Sequence, residues 1–224
     1  MHLPALGTEA DFRRHRLVRV TDAAWQHLLA TRDDLREVPL IADWAAKAWP
    51  FIVRRPLPDE PDGIPLGLPL PHGMGKRRIA FVMPQASVIA VAELPLLADA
   101  LSIVPPTWRQ TLDQLQRLAS THGVQVRVFG SLAWQHLTGL PYLHDASDAD
   151  IVMSLPSRRV LEAFLAGLAD IDSIAPMRID GEFLMDDGAG ANWRELHSHV
   201  PELALKTTSG VILHPRTAFV RALA

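Results

Sequence analysis

Apolar and polar residues in the first part of the chain alternate with the period of strands in some segments and of helices in others. The strand-like segments are residues 14–20 and 76–83, and the helix-like segments are residues 22–34, 39–49 and about 92–101. This mixture predicts a small domain of the α+β class.

Proline and glycine are concentrated in residues 54–75. Both residue types interrupt helices, and proline also removes a hydrogen-bond donor from a central strand. We therefore expect a long loop or linker over residues 54–75, within an N-terminal α+β domain at residues 1–103.

After Pro105 and Pro106 the pattern becomes a regular succession of strands and helices. Trp108, Leu112 and Leu115 repeat at helical spacing, and Gly123 suits the position after the helix. The predicted elements are a helix at 107–123, strands at 124–129, 149–154 and 177–185, helices from 131, 157 and 192, a hairpin turning at Ser209 and Gly210, and a helix from Arg216. The predicted class is α/β (α+β), with a second domain at residues 104–224.

The charge and composition exclude several classes of function. A formal net charge of -3 at pH 7 argues against a nucleic-acid partner, which requires a basic excess. No segment has the length or hydropathy of a membrane span or a signal peptide, so we expect a cytoplasmic protein without a membrane partner. Because the chain has no cysteine, any metal would be held by oxygen or imidazole ligands.

A strand, a helix and a second strand carry the residues with the clearest chemical pattern. Gly130 and Ser131 follow the first strand and open the helix, where a tight turn and backbone amides suit a phosphate group. Asp148 and Asp150 enter the next strand two residues apart, so their carboxylates share one face. Carboxylates arranged in this way can hold two divalent ions for a phosphoryl displacement.

A third carboxylate is expected on a neighbouring strand. Asp180 and Glu182 alternate onto one face of the strand at 177–185, and either one could deprotonate an attacking hydroxyl. We favour Asp180 and leave the choice open.

The order of glycine and serine, the D-x-D pair and a later strand carboxylate resembles the polymerase-β type nucleotidyltransferase superfamily. The interval between Ser131 and Asp148 is longer than in that superfamily, which implies an insertion. The chain also resembles a narrower family, the malonate decarboxylase holo-acyl-carrier-protein synthases, or phosphoribosyl-dephospho-CoA transferases. This resemblance lies in the segments FGSLAWQHLTGLPYL, SDADI, GLPLPHGMGKRRIAF, RIDGE and LALKTTSGVIL.

The resemblance implies a nucleotidyltransferase-type mixed sheet and a specific reaction. In that family, a serine of the apo acyl-carrier subunit of malonate decarboxylase attacks 2′-(5″-triphosphoribosyl)-3′-dephospho-CoA and releases pyrophosphate. The implied Mg²⁺ ligands are Asp148 and Asp150, with Asp180 or Glu182 as the third acid. Gly130 and Ser131 would bind the triphosphate.

Several further residues are candidate substrate contacts. They are Gln135 in the helix after Ser131, Lys206 on a late strand, and a basic group that flanks the proline-rich loop, Arg54, Arg55, Lys76, Arg77 and Arg78. Basic side chains in a chain that is not basic overall suit the phosphates of the substrate or an acidic carrier protein. Solvated charges at strand ends are the alternative interpretation of the arginines.

Two other functions are compatible with the same residues. One is a nucleotidyltransferase that uses a plain nucleoside triphosphate to modify a protein or a small molecule. The other is a module without catalytic activity that binds a carrier protein or a CoA-like ligand on the same scaffold.

Overall fold

The computed structural model describes residues 12–36, 38–75, 77–208 and 210–223. Two of the sequence predictions, a phosphate contact by Lys76 and a turn at Ser209, lie outside these residues. The chain divides into two compact units between Glu93 and Leu94. The sequence placed the division after residue 103, but Leu97 and Ala100 are buried in the core of the second unit.

The N-terminal unit contains a five-stranded antiparallel sheet in the order β4-β3-β2-β1-β5. Its strands are β1 (Leu17–Val20), β2 (Phe51–Val53), β3 (Ile64–Pro69), β4 (Arg78–Met83) and β5 (Val88–Ala92), and its helices are α1 (Asp22–Ala30), α2 (Asp33–Arg36) and α3 (Pro39–Ala42). Thr21 caps α1 by accepting a hydrogen bond from the N–H of Ala24.

Aromatic side chains form the centre of this unit. Trp25 packs against Phe51 with ring centroids 4.9 Å apart and against Phe81 at 5.2 Å. Its indole N–H donates to the carbonyl of Ile41 at 2.7 Å, which satisfies the polar end of a buried ring.

The prediction of a loop over residues 54–75 was wrong in its centre, because β3 lies inside this segment and pairs with both β2 and β4. Ile64, Leu66 and Leu68 alternate and are buried, which is the period of a strand. Pro65 and Pro69 face the other side and lie beyond the residues that β2 pairs. Burial of the alternating side chains therefore outweighs the loss of two backbone donors.

The C-terminal unit contains a mixed six-stranded sheet in the order β11-β10-β9-β8-β7-β6. Its strands are β6 (Val126–Val128), β7 (Ala149–Ser154), β8 (Ile179–Leu184), β9 (Gly190–Asn192), β10 (Glu202–Lys206) and β11 (Val211–Pro215). Its helices are α4 (Leu97–Ala100), α5 (Pro106–Thr121), α6 (Gly130–Thr138), α7 (Leu161–Ser173), α8 (Trp193–His197) and α9 (Arg216–Arg221). The strand–helix–strand order and the mixed sheet confirm the predicted fold class.

One face of this sheet is buried with the helices in a continuous core. Ile151 and Met153 of β7 and Ile179 and Phe183 of β8 all belong to it. The alternate residues of the same strands point to the opposite face, and these include the carboxylates singled out from the sequence. No helix among residues 12–223, leaving out the three undescribed positions, is long and apolar enough to cross a membrane.

Candidate active site

Three strand ends bring the predicted acids to one end of the C-terminal sheet. β6 runs antiparallel to β7, and β7 runs parallel to β8 with Asp150 paired directly to Asp180. The end of β6 and the beginnings of β7 and β8 therefore meet, and Asp148 immediately precedes β7. We call this group of Asp148, Asp150 and Asp180 the acidic end of the sheet.

The turn at Gly130 is fitted to one of these acids. The N–H of Phe129 donates to the carbonyl of Asp150 at 2.9 Å, which fixes the end of β6 beside β7. Gly130 then adopts a left-handed φ of +57°, and a β-carbon built there would lie 1.9 Å from Oδ2 of Asp150. Only glycine combines this backbone angle with this close approach.

Helix α6 begins at Gly130, so its amino-terminal end faces the acidic end of the sheet. Its N-cap residue, Phe129, makes no side-chain capping bond, and the first turn contains no acidic side chain. The N–H groups of a first helical turn and the helix dipole favour an anion. The predicted phosphate site at Gly130 and Ser131 is compatible with this geometry.

Asp180 is held by groups from two other parts of the chain. Asn192, the last residue of β9, donates from Nδ2 to Oδ1 of Asp180 at 3.3 Å and accepts at Oδ1 from the N–H of Arg194 at 2.9 Å. Arg178 places Nη2 3.7 Å from the same Asp180 oxygen. The position of the Asp180 carboxylate is therefore set by the beginning of α8 as well as by its own strand.

Arg194 forms a second ion pair behind Asp180. Its two terminal nitrogens each lie 2.7 Å from an oxygen of Asp172, and Nη2 also donates to the carbonyl of Ile179 at 3.2 Å. These hydrogen bonds to Asp172 raise the pKa of Arg194, burial opposes them, and the negative charges of Asp172, Asp180 and Asp148 add to the rise. Arg194 is therefore a fixed positive charge next to the acidic end of the sheet.

Asp172 anchors the beginning of β8 through the same contacts. Burial raises its pKa, but the hydrogen bonds from Arg194 and from the N–H of Ile179, together with the charges of Arg194 and Arg178, lower it by more. The net result is a pKa below the ordinary value for aspartate. The pair stabilises the strand that carries Asp180.

Glu182 and Lys206 form an ion pair across the sheet. The side chain of Glu182 lies over Gly190, where a β-carbon would come within 2.6 Å of Oε2. Glu182 is 15% exposed, so it faces a cation in a largely covered position. Of the two candidates for the third acid, Asp180 is the one that shares register with Asp150.

Gln135 holds the inserted loop between α6 and β7. Its Oε1 accepts from the N–H groups of Tyr142 at 3.2 Å and Leu143 at 3.0 Å. The ring of Tyr142 is buried 6.2 Å from that of Trp134, and burial raises the pKa of its hydroxyl. Gln135 therefore has a structural contact that the sequence did not predict, and its predicted contact with the substrate stays a prediction.

Arg54 of the basic group makes its hydrogen bonds inside the N-terminal unit. It forms an ion pair with Glu60 through both terminal nitrogens and donates to the carbonyls of Arg55, Leu66 and Phe81. A guanidinium has five N–H groups, and these contacts account for all five. The geometry favours a structural role for Arg54 over the predicted phosphate contact.

Arg55 differs from its neighbour. Its Nε is buried without a hydrogen-bond partner, which is uncommon for a buried donor. Arg77 and Arg78 are exposed, and Arg78 begins β4 opposite Pro69. Of the described members of the basic group, Arg55 is therefore the one with an unsatisfied buried donor, while Arg77 and Arg78 are the ones open to a ligand.

The acidic end of the sheet provides carboxylate oxygens, the ligand type that Mg²⁺ prefers. Asp150 and Asp180 are adjacent through their register. In residues 12–223, apart from the positions left undescribed, no three histidine, cysteine, aspartate or glutamate side chains are grouped closely enough to hold a metal ion. The donor chemistry thus fits Mg²⁺, while the present side-chain positions do not form a closed set of three ligands.

Asn192, Arg194 and Asp172 were missed by sequence reasoning. Asn192 carried a usable signal, since asparagine before a short helix is a typical N-cap. The pairing of Arg194 with Asp172 had no local signal, because the two residues lie on different helices, with strands β8 and β9 between them in the chain.

Comparison with protein families matches both units of the chain. Residues 13–93 match the N-terminal domain model, and residues 96–217 the C-terminal domain model, of phosphoribosyl-dephospho-CoA transferase MdcG. The boundary between the two matches falls at the division of the structure. No solved structure matches the chain.

Several curated proteins are similar over most of their length. A phosphoribosyl-dephospho-CoA transferase of Bradyrhizobium diazoefficiens is 45% identical over 207 residues, which cover 92% of each chain. A protein of the same name from Xanthomonas campestris pv. campestris is 37% identical over 80% of this chain and 85% of its own. One from Xanthomonas axonopodis pv. citri is 33% identical over 93% and 97%.

Proposed function

The chain belongs to the phosphoribosyl-dephospho-CoA transferase MdcG family and is a transferase, and from this premise we propose its donor, acceptor and chemistry. The donor is 2′-(5″-triphosphoribosyl)-3′-dephospho-CoA, and the acceptor is a serine of the apo acyl-carrier subunit of malonate decarboxylase. The observation that carries the proposal is the register of Asp150 with Asp180 beside the Gly130 turn.

The reaction is a displacement at the α-phosphorus of the donor. The serine oxygen forms a bond to that phosphorus, and the bond from the phosphorus to the bridging oxygen breaks. The products are a phosphodiester on the carrier and pyrophosphate, while the serine proton leaves to a base. Such a reaction is accelerated mainly by positioning and by neutralising charge.

Asp180 is the base in this proposal. Its carboxylate is next to Asp150 and is oriented by Asn192, so it can accept a proton from a hydroxyl bound at the same place. Glu182 is instead paired with Lys206 and helps to keep the sheet together. Gly130, Ser131 and the first amides of α6 bind the phosphate under attack.

Asp148, Asp150 and Asp180 would hold Mg²⁺ when the donor binds. The ions would supply charge neutralisation to the triphosphate and to the departing pyrophosphate. The chain contributes the rest: a turn that admits the phosphate at Gly130, an oriented base at Asp180 and a positive charge at Arg194.

The N-terminal unit contacts the dephospho-CoA part of the donor or the carrier. Arg77 and Arg78 are the best supported residues for that role, because their side chains are exposed and available to anionic groups. The Nε of Arg55 is buried in the structure, so an external acceptor could reach it only after a rearrangement.

The experiment that tests the proposal is a donor panel with the apo carrier subunit and Mg²⁺. Carrier mass is measured after incubation with the triphosphoribosyl donor or with each common nucleoside triphosphate. Modification by the triphosphoribosyl donor alone is the expected result. Faster modification with a plain nucleoside triphosphate would make the chain a nucleotidyltransferase of another specificity, and tight carrier binding without any modification would make it a binding module.

A further inference from the structure

Arg178 lies at the acidic end of the sheet and shares the face of the catalytic carboxylates. It precedes Asp180 by two residues, and its carbonyl accepts from the N–H of Ala149, the residue after Asp148. Its backbone is therefore next to the beginning of β7, and its guanidinium lies beside Asp180, with Nη2 3.7 Å from Oδ1. Neither the family comparison nor the motif at Gly130 and Asp148 assigns it a role.

The contacts of Arg178 are few for a residue in this position. Its side chain is 57% exposed, and its ion pair with Asp180 is long, at 3.7 Å. A contact of that length between exposed groups contributes little to stability. The guanidinium thus keeps N–H groups that point to solvent.

Two other cations of the C-terminal unit already have carboxylate partners. Arg194 is held by both oxygens of Asp172 and packs over the ring of Trp193 at 4.4 Å. Lys206 is paired with Glu182. Among these three described cations, Arg178 is the one whose exposure and single long ion pair leave it able to bind a ligand.

An anionic donor needs such a cation at this place. Asp148, Asp150 and Asp180 put negative charge where a triphosphate must approach, and the departing pyrophosphate adds more. The planar fork of arginine binds two phosphate oxygens at once, which lysine cannot do.

We propose that Arg178 is a substrate-binding residue that contacts the β- and γ-phosphates of the donor and stays with them as they leave as pyrophosphate. This inference rests on the proposed function for the identity of the donor. It gives the acidic end of the sheet a cationic side chain that holds the leaving group directly, in addition to the Mg²⁺ that the carboxylates would hold.

The test is binding of inorganic pyrophosphate with Mg²⁺ to the full chain, measured by calorimetry, together with KM and kcat for the donor. Arg178→Gln is compared with wild type, with Arg178→Lys, and with Arg109→Gln. Arg109 is a matched control because it is 52% exposed and also makes one ion pair, with Asp113 on α5.

Arg178→Gln is expected to weaken pyrophosphate binding and to raise the donor KM by about tenfold to a hundredfold. Arg178→Lys recovers part of the loss, Arg109→Gln matches wild type, and the melting temperature of all variants stays unchanged. Equal pyrophosphate affinity in wild type and Arg178→Gln would overturn the inference, and so would a wild type that does not bind pyrophosphate.

The two proposals fail separately in this design. If wild type binds pyrophosphate through Arg178 but modifies no carrier with the triphosphoribosyl donor, the proposed function is wrong and the phosphate contact stands. If wild type modifies the carrier and Arg178→Gln has the same KM, the contact is wrong and the function stands.

Discussion

The α-carbon of Gly130 lies against the carboxylate of Asp150, so closely that a β-carbon at position 130 would be 1.9 Å from Oδ2. The two residues come from the ends of neighbouring strands, and the hydrogen bond from Phe129 to Asp150 holds those ends together. This contact joins the phosphate turn to the acidic end of the sheet. A change in the phosphate turn is therefore expected to affect the position of the acids, and a change in the acids to affect the turn.

We predict that Gly130→Ala lowers the transfer rate by about a hundredfold. The added carbon would displace the Asp150 carboxylate, and displacements of about 1 Å in an active site have effects of that size. Gly139→Ala is the matched control, since Gly139 ends the same helix with a φ of +71° and has open space around it. Both variants pay about 1 to 2 kcal/mol of backbone strain, but only the first should lose activity. Equal activities of Gly130→Ala and Gly139→Ala would show that the close contact between Gly130 and Asp150 does not matter for catalysis.

Asp148→Asn and Asp150→Asn should each reduce transfer by about 100- to 1,000-fold while the protein stays folded. The amide keeps the shape of the side chain and removes the charge that binds a divalent ion. Transfer rates are measured over a range of Mg²⁺ concentrations, with circular dichroism as the check on folding. Wild-type transfer rates in both variants would show that Asp148 and Asp150 do not bind a metal ion needed for transfer.

Asp180 and Glu182 should differ sharply when each is neutralised. Asp180→Asn should abolish transfer, because it removes the proposed base next to Asp150. Glu182→Gln should keep most of the activity and lose stability instead. A double-mutant cycle with Lys206→Met should give a coupling free energy of about 0.5 to 1 kcal/mol for the partly exposed pair. If Glu182→Gln were inactive and Asp180→Asn active, Glu182 rather than Asp180 would be the base.

The pair of Asp172 and Arg194 predicts how stability depends on pH. The pKa of Asp172 is lowered in the folded state, so its contribution is complete above the unfolded-state value of about 3.9. That contribution is lost as the pH falls through the lower pKa of the folded state. The difference in melting temperature between wild type and Asp172→Asn should therefore be constant above about pH 5 and shrink below about pH 4.

Asp170→Asn serves as the control for Asp172, because Asp170 is an exposed aspartate of the same helix. It should leave the melting temperature unchanged at each pH. A difference between wild type and Asp172→Asn that stays constant down to pH 2 would show that the carboxylate charge of Asp172 does not stabilise the fold.

Gln135 gives a prediction for the inserted loop. Gln135→Leu removes the acceptor for the N–H groups of Tyr142 and Leu143, and should lower the free energy of unfolding by about 1 to 3 kcal/mol. Gln135→Glu keeps the acceptor oxygens and should stay near wild type. Equal loss of stability in both variants would show that the acceptor oxygen of Gln135 is not what holds the loop.

Local patterns were sufficient to predict the parts of the site that lie close together in the chain. The alternation of apolar residues predicts the strand at 149–154, and the glycine after a short strand predicts the turn at Gly130. Each of these features depends on a few adjacent residues. A third carboxylate on a neighbouring strand was also predicted, but the register that pairs Asp150 with Asp180 was not.

Features set by distant contacts could not be predicted in the same way. Glu60 lies in the loop after Arg54, and only the folded sheet shows that it takes up the guanidinium donors. Asn192 meets Asp180 because β9 lies beside β8, a relationship that no spacing in the sequence encodes. Strand β3 was missed because the proline content of the segment was given more weight than the alternation of its apolar residues, Leu66 and Leu68.

The central claim is that the acidic end of the sheet transfers the phosphoribosyl-dephospho-CoA group to a carrier serine with loss of pyrophosphate. The most direct measurement follows carrier mass and pyrophosphate together, in one reaction with the triphosphoribosyl donor, Mg²⁺ and the apo carrier subunit. We predict that each modified carrier is matched by one pyrophosphate, and that Asp150→Asn produces neither. An unmodified carrier, or pyrophosphate released without modification, would contradict the account.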